Sequence, residues 1–312
     1  MGANHLRIYK KLSHLCDVAG IYDADPDKCQ RIQETYGAAC CASCDRLLSE
    51  VDAASIVAPT AHHYEIAKNA LQKGVHILLE KPITQEVEQG EELVRIAEEN
   101  GRILQVGHIE RFNPAVELLP GILRGKKVIA LEFRRMSPYE PRVADIDVVQ
   151  DLMIHDIDVM RYILPGEIES IQAVGASPRS GSCCDYAVAI LRLQGGVVAN
   201  FTASRVTEQK IRKACITTDE AYIELDYNER KIIVVRSTRG NYDAGSTPAY
   251  RQESVIEKVF VPNHEPLVKE IESFLESVAG GMRPAVDGSA GVQALKTVKR
   301  IQASMACGGA CA

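Results

Sequence analysis

Apolar positions along this chain fall first into short runs separated by helical patterns. Residues Val75-His-Ile-Leu-Leu form a run of strand length that ends in Glu80-Lys81-Pro82. A second run over 54–58 closes on Pro59-Thr60. Between them, residues 63–74 carry Ile66, Ala67, Ala70 and Leu71 at helical spacing and stop at Gly74. Strand, helix, strand is a βαβ unit, whose parallel strands bring their C-terminal ends to one sheet edge. Open α/β sheets bind ligands at that edge, which makes Glu80 and Lys81 candidates for chemistry as well as for a surface ion pair.

The same alternation extends in both directions. A helical pattern (Leu6, Tyr9, Leu12, Leu15) leads to a predicted strand over 18–22 that ends at Asp23. Helices over 27–36 and 87–100, a segment around 45–50 and a strand over 103–106 continue it, predicting a doubly wound parallel sheet. The character changes at Asn113-Pro114, giving expected domains of 1–113 and 114–312. After a helix over 115–122, strand-like runs follow over 128–133, 168–174, 187–193, 197–203, 214–218, 221–226 and 231–236. Gln194-Gly195-Gly196 and Asp219-Glu220 read as hairpin turns. The second domain is therefore expected to be α+β on a largely antiparallel sheet, closed by helices over 266–278 and 290–305.

A net charge of −6 over 312 residues argues against nucleic acid or an anionic membrane surface as the main partner. No apolar stretch approaches membrane-spanning length, and the N-terminus lacks a signal-peptide pattern, so a cytoplasmic protein is expected. The chain has ten cysteines. Cys41-x-x-Cys44 has no second pair to complete a zinc site, and the thiols are expected to be reduced and without chemistry.

Two further patterns carry chemistry. Asp23 ends a predicted strand, where dinucleotide-binding folds place the acid that takes the ribose hydroxyls. It lies 23 − 2 = 21 residues after Gly2, the spacing expected if Gly2 is the last glycine of a G-x-G-x-x-G turn. No basic residue directly follows Asp23, which favours NAD over NADP; capping of the next helix is the competing use. Farther on, Asp151 and His155 sit four apart in a helical pattern, so a carboxylate can orient an imidazole as a general base. A packed histidine satisfied by a neighbouring acid fits the same pattern.

Together, Pro59-Thr60-x-x-His63, Glu80-Lys81-Pro82 and Asp151-x-x-x-His155 resemble the glucose–fructose oxidoreductase and inositol dehydrogenase family. The resemblance extends to Tyr222-x-Glu224-Leu225 and Glu265-Pro266-Leu267. It implies an NAD-dependent oxidoreductase in which Lys81 and His155 contact the substrate hydroxyl and Asp151 is the partner carboxylate. It also implies a cofactor cleft formed by Gly2, Asp23, Pro59, Thr60, His63, Glu80, Lys81 and Arg111, with no metal. Residues 107–114 and 151–158 carry a narrower resemblance, to members that oxidise C3 of UDP-N-acetylglucosamine. Inositol or another sugar or polyol is the alternative substrate. Arg111, Arg134, Arg135 and Arg142 are candidates for its anionic part, and a homo-oligomer (dimer or tetramer) is expected. Members of the family begin with an apolar strand and a G-x-G-x-M-G turn, whereas this sequence starts at the Met-Gly of that turn. An internal methionine of a longer protein is expected; a shortened, non-catalytic binding relative is the other reading.

Overall fold

The computed structural model describes residues 1–140, 146–179, 183–244 and 247–306, with 238–244 and 247–253 as backbone only. Helix α1 (Gly2–Lys11) is followed by α2 (Pro26–Tyr36) and α3 (Cys44–Ser49). Strand β1 (Ala53–Ile56), α4 (His63–Gln72), β2 (His76–Glu80), α5 (Val87–Glu99) and β3 (Leu104–Gly107) then alternate. The three strands form a parallel sheet in the order β1-β2-β3. Side chains of β2 alternate between its faces. Ile77 and Leu79 join Leu71, Leu93 and Val106 in one buried cluster, while Leu78 joins Ile8, Leu12 and Phe274 in another.

The region predicted as a strand over 18–22 pairs only at Ile21, which bridges Cys40 in parallel. Local β propensity has no further ladder to join there. Asp25 caps α2 by accepting the Asp27 and Lys28 amides, and Gly37 ends that helix in the left-handed conformation. Cys29, on α2, is disulfide-bonded to Cys40, which corrects the expectation of uniformly reduced thiols. The bridge at Ile21↔Cys40 and the position of α2 bring these two sulfurs together, a proximity that sequence spacing does not reveal.

The second unit opens with α6 (Pro114–Leu123), capped by Asn113. Its sheet comprises β4 (Val128–Met136), β5 (Ile168–Ala176), β6 (Tyr186–Leu193), β7 (Val198–Ser204), β8 (Ile211–Thr218), β9 (Tyr222–Asp226), β10 (Lys231–Ala244) and β11 (Thr247–Val259). The strand order is β11-β10-β9-β8-β4-β7-β6-β5, antiparallel throughout except for the parallel pair β4·β7. Gly195 and Gly196 both have positive φ in the β6–β7 turn, a backbone that suits glycine. Helix α7 (Ile154–Ile163) follows directly on a π-helical turn, Val149–Met153.

The chain ends in α8 (Pro266–Gly280) and α9 (Gly288–Ala306). The compact units are 1–112 with 264–296, and 113–263 with 297–312. The second unit expected over 114–312 is therefore interrupted, because α8 buries Leu267, Ile271 and Phe274 against the Ile8, Leu12 and Leu78 side of the first.

Candidate active site

In the first unit, chemistry gathers where β1 and β2 end. Glu80 is the last residue of β2, and the Lys81–Pro82 peptide that follows is cis. Glu80 Oε1 lies 3.2 Å from His5 Nε2, and its Oε2 accepts the Lys81 amide at 3.2 Å. Burial pushes the Glu80 carboxyl up, but the His5 hydrogen bond and the positive charge of Lys81 outweigh it, leaving Glu80 below the usual carboxylate range. Glu80 is thus an ionised carboxylate beside Lys81, which is half-buried.

His63 opens α4 with its ring buried. Nδ1 lies 2.8 Å from the Pro82 carbonyl and Nε2 lies 2.8 Å from the Ala58 carbonyl. The ring therefore sits between the loop after β1 and the turn after β2, within hydrogen-bond distance of a carbonyl of each. Pro59 is exposed and Thr60 half-buried at the start of a 3-10 turn, Thr60–His62. Arg111 lies in a second 3-10 turn, Ile109–Phe112, and its Nη1 approaches the Ala285 carbonyl at 3.4 Å.

Asp23 is exposed and accepts the Asp25 amide on Oδ1 at 2.9 Å. Since Asp25 provides the cap of α2, helix capping does not account for Asp23. Gly2 is the first residue of α1, a helix with no side-chain cap, no acid in its first turn, and open space around the Gly2 Cα. Such a terminus presents backbone N–H groups suited to an anion.

In the second unit, Asp151 lies in the π turn and His155 in the first turn of α7, both half-buried. The π turn changes the plain 3.6-residue repeat on which the sequence reading of this pair rested. Asp147 Oδ1 accepts the Val149 and Gln150 amides at 2.8 and 2.9 Å, anchoring the start of that turn. Arg135 is committed elsewhere than to a substrate: Nε and Nη2 make a two-pronged contact with Asp156 at 3.0 and 2.8 Å, and both residues are buried. Sequence reasoning missed this use, although β4 alternates Leu131, Phe133 and Arg135 onto one face. Arg134 is exposed, and Arg142 lies outside the described residues.

The structure therefore groups Glu80, Lys81 and His63 at the ends of β1 and β2, and sets Asp151 and His155 on successive turns of one helical segment. Known proteins match both parts of the chain. The oxidoreductase family Gfo/Idh/MocA, described as having an NAD-binding Rossmann fold, matches residues 1–108, and the family's C-terminal domain matches 133–224. A UDP-N-acetylglucosamine 3-dehydrogenase of Acidithiobacillus ferrooxidans is 33% identical over 305 residues, covering 98% of this chain and 94% of that protein. Its solved structure superposes with a TM-score of 0.88 at 31% identity, over 98% of this chain and 94% of that one. An inositol 2-dehydrogenase of Mycolicibacterium vanbaalenii is 28% identical, over 98% of this chain and 94% of its own length. By its two matched domains and its near full-length relatives, this chain belongs to the Gfo/Idh/MocA family of NAD-binding oxidoreductases.

Proposed function

We propose that the protein oxidises the C3 hydroxyl of UDP-N-acetylglucosamine to a ketone, with NAD as hydride acceptor. The observation that carries this reading is the ionised Glu80 beside Lys81 at the C-terminal end of a parallel strand, in a chain 33% identical over 98% of its length to an enzyme of that name.

The residues fit a dinucleotide. Asp23 offers a solvent-facing carboxylate to the ribose hydroxyls, and the uncapped N-terminus of α1 at Gly2 offers backbone donors to the pyrophosphate. No basic residue follows Asp23 to favour a 2′-phosphate, which supports NAD over NADP. Pro59, Thr60, Glu80 and Arg111 line the cleft, and His63 lies between its two loops. When bound, NAD supplies the hydride chemistry at the sugar carbon. His155 takes the hydroxyl proton, oriented by Asp151, and Lys81 hydrogen-bonds the same oxygen, stabilising the alkoxide character that develops as the C–H bond breaks. The proton ends on the His155 imidazole.

Oxidation of an inositol or another polyol is the second reading, favoured by the inositol 2-dehydrogenase relatives. Comparing NADH formation from UDP-N-acetylglucosamine, inositol and glucose separates the two. Replacing His155 with Ala is expected to lower kcat by about 10²- to 10⁴-fold while NADH affinity, read by fluorescence titration, is kept. Undiminished turnover would remove His155 from the mechanism. Among the described residues no helix is long and apolar enough to cross a membrane. Val174, Ile190, Val198 and Tyr222 are exposed on strands of the large sheet and support a homo-oligomer, testable by light scattering of the purified chain.

A further inference from the structure

Among the buried residues of α1, namely His5, Leu6 and Ile8, only His5 is polar. It is 2% exposed, and both ring nitrogens point at polar partners. Nδ1 lies 3.2 Å from Ser55 Oγ on β1, and Nε2 lies 3.2 Å from Glu80 Oε1 on the neighbouring strand β2. One turn farther along α1, the Tyr9 hydroxyl lies 2.7 Å from the same Ser55 oxygen.

The contact with Glu80 fixes the direction of one proton. A carboxylate only accepts, so His5 Nε2 carries a hydrogen and donates to Glu80. Nδ1 faces the Ser55 hydroxyl, and the Ser55 oxygen is shared with the Tyr9 hydroxyl. Burial pushes the Tyr9 phenol up, more than the Ser55 hydrogen bond lowers it, so Tyr9 stays protonated. The result is one hydrogen-bonded chain of Tyr9, Ser55, His5 and Glu80 that ends with His5 donating to the carboxylate.

Glu80 has little freedom at the end of this chain. Its second oxygen accepts the Lys81 amide, and Glu80 pairs in register with Gly107 of β3. A Cβ at Gly107 would stand 3.3 Å from the Glu80 carboxyl carbon and from Oε2, and 3.2 Å from the Glu80 Cα. The carboxylate therefore lies against the β3 backbone, where a side chain at Gly107 would crowd it by a few tenths of an ångström. Beyond Lys81, the Pro82 carbonyl is held by His63.

We propose that His5 is a positioning residue for Lys81: through Glu80 it fixes the first peptide of the Glu80-Lys81-Pro82 turn, and with it the direction of the Lys81 side chain. His5 touches neither substrate nor cofactor in this role. The inference rests on the reading of Lys81 as the group that contacts the reacting hydroxyl.

A double-mutant cycle on the full chain separates the two claims. His5→Leu removes the donor to Glu80 and is expected to lower kcat about 10- to 100-fold, the cost of a displaced catalytic group, with NADH affinity kept. His5→Gln, whose terminal amide reaches the place of Nε2, is expected to restore most of that loss. In a Lys81→Ala background, His5→Leu is expected to cost little more, because it acts through a side chain already removed. A His5→Leu penalty that persists in full without Lys81 overturns the positioning role alone. A Lys81→Ala protein with the wild-type rate overturns the reading of Lys81 and this inference with it. If His5→Leu fails to fold, Glu80→Gln enters the same cycle. A substrate-free readout stands beside the kinetics. After reductive carbon-13 methylation, the Lys81 resonance, identified by its loss in Lys81→Ala, is expected to move in His5→Leu and to return in His5→Gln. An unmoved resonance contradicts the proposal.

Discussion

Replacing Glu270 with Met is expected to stabilise the protein, and to do so more at alkaline than at acid pH. Glu270 lies on α8 between Leu267, Ile271 and Phe274, at 0% exposure. Neither carboxyl oxygen has a hydrogen-bond partner among the described residues, and the Gln105 amide at 2.9 Å reaches only the Glu270 backbone carbonyl. Burial raises the Glu270 pKa well above the ordinary carboxylate value, and the negative charge of Glu80 raises it further. The folded chain therefore keeps the Glu270 proton over a pH range in which the unfolded chain has released it. The folded state is favoured fully below the unfolded carboxylate pKa, and this contribution is lost as pH rises from there through the folded value.

Met fills a similar volume without polar atoms. Relief of one unsatisfied buried polar group is worth about 1–3 kcal/mol. At about 2–4 °C per kcal/mol for a domain of this size, the melting temperature rises by about 2–12 °C. Thermal melts followed by circular dichroism at about pH 5 and about pH 8 test both parts, since an ordinary carboxylate in the unfolded chain is charged at the second pH and mostly so at the first. The gap between variant and wild type should widen at the higher pH. A destabilised variant, or a gap that does not change with pH, would show that Glu270 is ionised and compensated in the folded protein.

Other consequences follow from single contacts. Arg135→Leu leaves Asp156 as a buried charge and should cost about 3–5 kcal/mol; Arg135→Leu with Asp156→Leu should recover much of it, and equal losses in the single and double variants would show that the pair is not coupled. Thiol titration of the unfolded chain should find two more reactive thiols after reduction than before, one each from Cys29 and Cys40, and an unchanged count would contradict the disulfide. Asp23→Ala should weaken NADH binding about 5- to 30-fold, the loss of roughly 1–2 kcal/mol in hydrogen bonds to the ribose; unchanged affinity would place the ribose elsewhere.

Much of this architecture is legible in the sequence, for reasons visible residue by residue. Val75 and Ile77 to Leu79 are apolar because β2 is covered on both faces, and such a run marks a central parallel strand. The helix between β1 and β2 announces itself by its buried stripe of Ala67, Ala70 and Leu71. The strand expected over 18–22 does not form as such, because pairing depends on a neighbour and local propensity does not supply one. The π turn before α7 is invisible to periodicity, since one inserted residue leaves the apolar positions plausible for an ordinary helix. Strand β11 is also missed, being a polar run defined by its pairing with β10.

At the candidate site, Glu80, Lys81 and His155 stand out by residue type, whereas their supports do not. The signals were nonetheless present. His5 falls on the inward face of α1 with Ile8 and Leu12, and Glu270 falls among Leu267, Ile271 and Phe274 at helical spacing. A polar residue on an apolar stripe marks a buried network or an unsatisfied group, and only the structure tells which.

The most direct test of the account is the absorbance of NADH formed by the purified chain given NAD and UDP-N-acetylglucosamine. NADH is expected to accumulate with UDP-N-acetylglucosamine, at a rate about 10²- to 10⁴-fold lower in His155→Ala and strongly reduced in Lys81→Ala. NADH accumulation with inositol but not with the nucleotide sugar, or equal rates in the two variants and the wild type, would contradict it.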